Sequence, residues 1–149
     1  MKLSENGYKL ICTFEGLKLK PYLCSAKVPT IGYGNTYYPS GKKVTLLDAP
    51  ITQDYAFEIF KDIADKFAKR VAERVKSNIT QNQFDALVSF AYNIGTGAFA
   101  TSTLLKKVNA NPNDLTIRNE FLKWTKAGGK VVQGLKNRRE AETNYYYKL

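Results

Sequence analysis

The stretch from Ile79 to Gly97 limits the fold more than any other part of the chain. Thr80 and Gln83 have the spacing of a capping box, in which the threonine hydroxyl accepts from an early helical amide and the glutamine reaches back to the cap amide. Ile79 and Phe84 can close a hydrophobic staple over that turn. The helix so predicted holds Phe84, Leu87, Val88, Phe90 and Ala91, an apolar set spread over much of its circumference. Such a helix needs partners on several sides, so it is expected to be the buried centre of a helical body. Gly95 and Gly97 are expected to end it.

Further helices are expected around it. Residues 4–15 read as a first helix, with Ser4 as N-cap and a mostly apolar face of Tyr8, Ile11, Cys12 and Phe14. Thr52 caps a long helix to about Val75, because Ala56, Phe60, Ile63, Phe67, Val71 and Val75 recur at helical spacing. Its other face, with Asp62, Asp65, Lys66, Lys69, Arg70 and Arg74, reads as solvated. Thr101-Ser102-Thr103 opens a short helix carrying Leu104, Leu105 and Val108. A loop at Asn111–Asp114 leads to a helix with Leu115, Ile117, Phe121, Leu122 and Trp124, broken by Ala127-Gly128-Gly129-Lys130. Trp124 reads as a core residue. A last helical segment runs from about Leu135 to Tyr146.

Leu17 to about Val44 differs in kind. Its Pro, Gly and Tyr content, the alternation at Ile31-Gly32-Tyr33-Gly34 and the turn Pro39-Ser40-Gly41-Lys42 predict short strands and tight turns. The chain of 149 residues is therefore expected to be one α+β folding unit. A small N-terminal β lobe, about 16–50, is expected to be joined by a long helix, about 52–76, to a larger helical lobe, about 77–149 with helix 4–15.

Composition narrows the chemistry. There is no histidine, which excludes a His-dependent triad and the usual His-containing zinc sites. No metal and no organic cofactor are expected; carboxylates, hydroxyls or thiols must do any catalysis. The 23 basic and 13 acidic residues give a formal charge of +10, which draws the protein to polyanions without choosing among them. No run is apolar for long enough to span a bilayer. Met1–Asn6 lacks an apolar signal region, so the product is expected to stay in the cytoplasm of the cell that makes it. The two cysteines, Cys12 and Cys24, are expected to be reduced thiols, Cys12 as a small buried residue. A Cys12–Cys24 bridge is the alternative.

Glu15 ends the first helix just before Gly16, a plausible helix stop. The helix macrodipole disfavours a carboxylate there by roughly 0.3–1 kcal/mol, a field that helps a general acid keep its proton. Locally, Glu15 also reads as a surface residue paired with Lys18 or Lys20. Its spacing carries more information. Glu15, eight residues, Cys24, five residues and Thr30 resembles the catalytic pattern of the bacteriophage lysozymes, endolysins that cleave the glycan of peptidoglycan. Three further stretches resemble that family in order: Thr30-Ile31-Gly32-Tyr33-Gly34; Gln83–Leu87 running into Phe90–Gly95; and Asn137-Arg138-Arg139 with Glu142. The family more often has Asp at the position of Cys24.

The resemblance implies a lysozyme-like fold and hydrolysis of the β-1,4 bond between N-acetylmuramic acid and N-acetylglucosamine. Glu15 would be the acid; Cys24 and Thr30 would hold the attacking water on the opposite face of the sugar, in an inverting displacement. Cys24 could act as a thiolate, its value lowered by Lys27, or as a neutral thiol. Arg138 would orient the acid, its alternative being a surface guanidinium. Tyr33, Gly34, Tyr92, Asn93 and Thr103 would line the sugar path. Tyr92 and Asn93 also read as helix-cap residues, and Gly32 and Gly34 as relief of crowding in a hairpin. The implied partner is the peptidoglycan glycan strand, with no nucleic acid required and contact with an anionic envelope left open. A monomer is expected, reaching the wall from the host cytoplasm through a holin-type pore. Two other functions fit the sequence: a lytic transglycosylase on the same substrate, and a non-catalytic basic module that binds polyanions.

Overall fold

The computed structural model describes residues 1–149. Its elements run α1 (Glu5–Glu15), β1 (Lys18–Leu23), β2 (Pro29–Gly32), α2 (Gln53–Arg74), α3 (Gln81–Ile94), α4 (Thr96–Thr101), α5 (Thr103–Ala110), α6 (Ile117–Leu122), β3 (Lys126–Ala127), β4 (Lys130–Val131) and α7 (Gln133–Tyr146). The architecture is α+β. The chain divides into two compact units, Tyr8–Lys66 in one and Met1–Gly7 with Phe67–Leu149 in the other. Both boundaries fall inside helices, α1 and α2. No helix is long and apolar enough to cross a membrane.

In the helical unit, α3 is the buried centre. Its nine residues from Gln83 to Ala91 are all buried. The capping box forms as expected, with the Gln83 amide donating to Thr80 Oγ1 at 3.1 Å and the Thr80 amide to Gln83 Oε1 at 2.9 Å. Gly95, at φ +96°, ends α3 and starts α4 in one residue. That short helix was not expected, because Gly97 reads as a breaker and α4 has too few residues for a periodic signal. Ser102 then caps α5 through the Leu105 amide at 3.1 Å. Phe90 packs edge-on to Phe99, Phe121 and Trp124, tying α3 to α4 and α6.

Three details depart from the expectations for residues 115–131, the first being that α6 ends at Leu122, before Trp124. Leu115 lies before α6 and is 78% exposed. The Asp114 carboxylate accepts from the Thr116 amide at 2.8 Å and hydroxyl at 2.7 Å, and this local turn holds the chain out of the helix until Ile117. The expected break at Ala127–Lys130 is a hairpin: β3 pairs with β4 across Gly128 and Gly129, both at positive φ. A two-residue loop with both centres left-handed suits the twist of a hairpin, and glycine takes it at little cost.

In the other unit, β1 and β2 pair antiparallel with Tyr22 opposite Thr30 and Leu23 opposite Pro29. Strand β2 stops at Gly32; the alternating stretch through Gly34 ends in a tight turn in which Ile31 and Asn35 exchange amide bonds of 2.9 Å. Ile31, Val44 and Ile59 form its core, with Tyr38 and Ile51 packed on them. A second layer of rings joins Tyr8 and Tyr33 to Phe57 and Phe60 of α2. Thr52 caps α2 through the Tyr55 amide at 3.1 Å.

The loop before α2 is locked by Asp48, which accepts from the Thr45 amide at 3.0 Å, the Thr45 hydroxyl at 2.7 Å and the Tyr38 hydroxyl at 2.7 Å. Those donors, the Thr45 amide first, hold the Asp48 carboxyl at about 2 against an ordinary 3.8. A depressed folded value means that this carboxylate's contribution is complete above 3.8 and is lost as pH falls through about 2. Amide exchange at Thr45 should therefore stay slow at pH 4 and quicken only towards about pH 2, whereas Asp48→Asn should quicken it already at neutral pH.

Candidate active site

Glu15 is the last residue of α1, half-buried. Gly16 follows at φ +64°, the left-handed position that closes a helix and for which glycine is suited. The Glu15 side chain lies against the backbone of Gly34. A Cβ placed on Gly34 would sit 3.2 Å from Glu15 Oε2, and Gly34 itself has φ +89°. Glycine at this position thus keeps one side of the carboxylate clear.

Cys24 sits where β1 gives way to the turn that leads into β2. The Lys27 amide donates to the Cys24 carbonyl at 2.8 Å and the Cys24 amide to the Val28 carbonyl at 3.1 Å. Lys27 takes φ +61°, the one non-glycine residue with positive φ. This conformation costs roughly 1–2 kcal/mol for an L-residue. The turn aims amides back at the sulfur. The Cys24 thiol is held below its ordinary value by the Val28 amide first, then the Thr30 hydroxyl, then the Ala26 amide. Lys27, expected from the sequence to lower it, sits at the left-handed position of the turn that brings those amides to the sulfur. Thr30 is buried on β2 and donates its hydroxyl to the Val28 carbonyl at 2.8 Å. That single proton has two acceptors in reach, Val28 and a Cys24 thiolate.

Tyr22 lies in the field of both Glu15 and Cys24, and sequence reasoning passed over it. It stands directly across from Thr30 in the β ladder, two residues before Cys24. Burial pushes its phenol up, and the charges of Cys24 and Glu15 push it further, so it lies within the field of both. The available signal was its place in the strand: residues at i and i+2 share a face.

The other cysteine behaves oppositely. Burial, with the Glu15 carboxylate adding to it, pushes the Cys12 thiol to about 12. Both cysteines are free thiols. No three Cys, Asp and Glu side chains converge in a way that could hold a metal ion.

In the helical unit, Arg138 and Arg139 are buried beside Glu142 on α7. Arg138 Nε donates to Glu142 Oε2 at 3.3 Å and its Nη2 to the Ser89 carbonyl at 3.0 Å. The reading of Arg138 as a surface guanidinium is therefore wrong: its side chain is 4% exposed, because α7 packs on α3. Arg139 donates to Glu142 Oε1, to Asn93 Oδ1 and, from Nε at 3.0 Å, to the Trp124 carbonyl. Its guanidinium lies 5.0 Å from the centre of the Phe90 ring. Burial pushes the Glu142 carboxyl up and the Arg139 guanidinium down, and their attraction opposes both shifts.

Two groups of expected residues are thus each held together within one unit: Glu15, Cys24, Thr30 and Gly34, and Arg138 with Asn93 by way of Glu142 and Arg139. Tyr33 is drawn into the ring cluster with Phe57 and Phe60. Tyr92 is half-buried with its ring 4.9 Å from that of Phe67. Thr103 is exposed at the first turn of α5, one residue past the Ser102 cap.

A family model described as phage lysozyme matches residues 12–142. The endolysin of Bacillus phage B103 is 44% identical over 148 residues, covering 98% of this chain and 54% of that protein. The chain spans about half the length of the Bacillus phage endolysins it matches. Among solved structures, the endolysin from Escherichia coli O157:H7 phage FAHEc1 has a TM-score of 0.90 at 39% identity, covering 99% of this chain and 94% of that one. The muramidase domain of SpmX from Asticaccaulis excentricus has a TM-score of 0.86 at 31% identity, covering 99% of each.

Alkylation should separate the two cysteines. Cys24 should react first in native protein, with a rate midpoint below the ordinary thiol value of 9.0, and Cys12 only after unfolding. Thr30→Val should move the Cys24 midpoint upward. Glu142→Gln removes the buried carboxylate that pairs with Arg139 and should cost about 3–5 kcal/mol in denaturant unfolding.

Proposed function

Because the chain belongs to the phage lysozyme family, we propose that it hydrolyses the β-1,4 bond between N-acetylmuramic acid and N-acetylglucosamine in peptidoglycan, as an endolysin that lyses the bacterial host. The observation that carries the reading is the grouping of Glu15, Tyr22, Cys24 and Thr30 in one unit, with the acid against a bare Gly34 backbone. Glycoside hydrolysis asks for two groups flanking the sugar. Glu15 donates its proton to the departing glycosidic oxygen. Cys24 and Thr30 position a water on the other face, which attacks the anomeric carbon in a single displacement that inverts its configuration. The proton lost by that water passes to the thiolate when Cys24 is ionised. Amides at Ala26 and Val28 favour this form and give a thiol part of the anionic character that a carboxylate would have at the same place. Tyr33, Gly34, Tyr92, Asn93 and Thr103 are assigned to sugar contacts. The muramidase domain among the solved relatives supports the substrate class. Release from the host cytoplasm through a holin-type pore is part of the same proposal.

Turbidity loss of a purified wall suspension tests the roles. Glu15→Gln should lower the rate by about 10²–10⁴-fold, the range expected for a lost general acid. Cys24→Asp should keep it within about tenfold, since the turn that favours a thiolate also favours a carboxylate. An active Glu15→Gln protein would remove the acid assignment. Mass spectrometry of the released sugars should find added water; anhydro-sugars would mean a transglycosylase.

A further inference from the structure

The turn Thr45–Asp48 has leucines at both central positions, where turns usually carry Pro, Asn, Asp or Gly. Leu46 is 51% exposed and Leu47 96%. The turn is closed by the Asp48 amide on the Thr45 carbonyl at 3.2 Å and by the three donors on the Asp48 carboxylate. Tyr38, one of those donors, packs on the Ile31–Val44–Ile59 core. The leucines therefore stand out from a braced scaffold, and Asp48, the acidic group nearest to them in sequence, is engaged at the base of the turn. Lys42 and Lys43 lead into the turn, both exposed, and Lys43 pairs in a β-bridge with Tyr37, itself 42% exposed. On the outgoing side the Ile51 amide donates to the carbonyl of Leu19 at 2.9 Å; Leu19 is 39% exposed between the exposed Lys18 and Lys20.

We propose that the Leu46–Leu47 turn docks on an anionic lipid surface. The leucines enter the boundary between headgroups and acyl chains, while Lys42 and Lys43 meet headgroup charge. An apolar tip rimmed by cations is the chemistry that such a boundary selects. A braced turn loses little conformational freedom on docking. A second copy of the chain is a poorer occupant, because two turn leucines bury far less area than a stable dimer needs. The docking uses none of the residues assigned to hydrolysis.

The test is co-sedimentation of the full chain with phosphatidylcholine vesicles, with and without phosphatidylglycerol, at physiological salt. Binding is expected only with phosphatidylglycerol. Leu46→Ser with Leu47→Ser should weaken it by about tenfold or more, from the apolar burial lost, and Lys42→Glu with Lys43→Glu should also weaken it. Clearing of lipid-free peptidoglycan should not change in either double variant, which separates failure of docking from failure of the proposed reaction. Leu47→Trp should shift its emission to the blue on these vesicles, relative to the parent with Trp124 alone. Three results overturn the proposal. One is no binding. Another is binding that survives loss of the leucines, or a Leu47→Trp emission that does not move, either of which assigns it to general positive charge. The last is a parent dimer that the leucine changes dissociate.

Discussion

Nothing polar can be buried on every side of a helix unless each polar group finds a partner, and α3 is where this constraint acts hardest. Three polar residues sit in its buried run: Gln83, Asp85 and Ser89. Each recruits a different piece of chain. Gln83 Nε2 donates to Asn113 Oδ1 at 3.2 Å in the loop before α6. Asp85 accepts from the Ser4 hydroxyl at 2.5 Å, from Gln81 at 2.9 Å and from the Tyr145 hydroxyl at 3.1 Å, which fixes both ends of the chain on one carboxylate. Ser89 donates to Glu142 at 2.5 Å and so joins the charge cluster of α7. Apolar burial makes α3 the centre; these side chains decide what is arranged about it. Gly7 of α1 shows how closely, since a Cβ there would meet Asp85 at 2.6 Å.

The strand-bearing unit solves a different problem. It gathers a carboxylate, a thiol and a hydroxyl from three points in the sequence, and it does so with backbone shape. Gly16 and Gly34 supply left-handed backbone beside Glu15, and Lys27 accepts the same conformation at a cost so that amides converge on Cys24. The two cysteines illustrate how far surroundings outweigh residue type. Cys12 is pushed up by burial and by Glu15, whereas Cys24 is pulled down by hydrogen bonds. Two identical thiols in one small unit are thereby given opposite tendencies to ionise, and the more acidic one stands at the position proposed to handle the water.

Much of this was legible in the order of residues. The capping box at Thr80, the helix stop at Gly16, the cap at Thr52 and the turn at Pro39–Lys42 are local signals, each settled by side chains within a few positions of one another. The fold class and the family followed from ordered motifs spread over the chain. Less legible were elements whose cause is short or distant. Helix α4 has too few residues for a period. The hairpin at Gly128–Gly129 resembles a plain break until its two short strands pair. Leu115 was claimed for a helix by its apolar character, but a local Asp114–Thr116 turn outcompetes that preference.

The sequence alone determined that the chain must be an α+β body around one apolar helix, without histidine chemistry, carrying Glu15, Cys24 and Thr30 at the family spacing. Those are properties of periodicity, composition and separation along the chain. Tertiary structure alone decided that Arg138 and Arg139 are buried ion partners of Glu142, that Tyr22 faces Thr30 across a strand pair, and that amides of Val28 and Ala26 with the Thr30 hydroxyl favour the Cys24 thiolate. Burial and hydrogen bonding depend on which atoms meet after the chain has doubled back. A linear order of side chains fixes the candidates for those meetings and leaves the choice among them to packing.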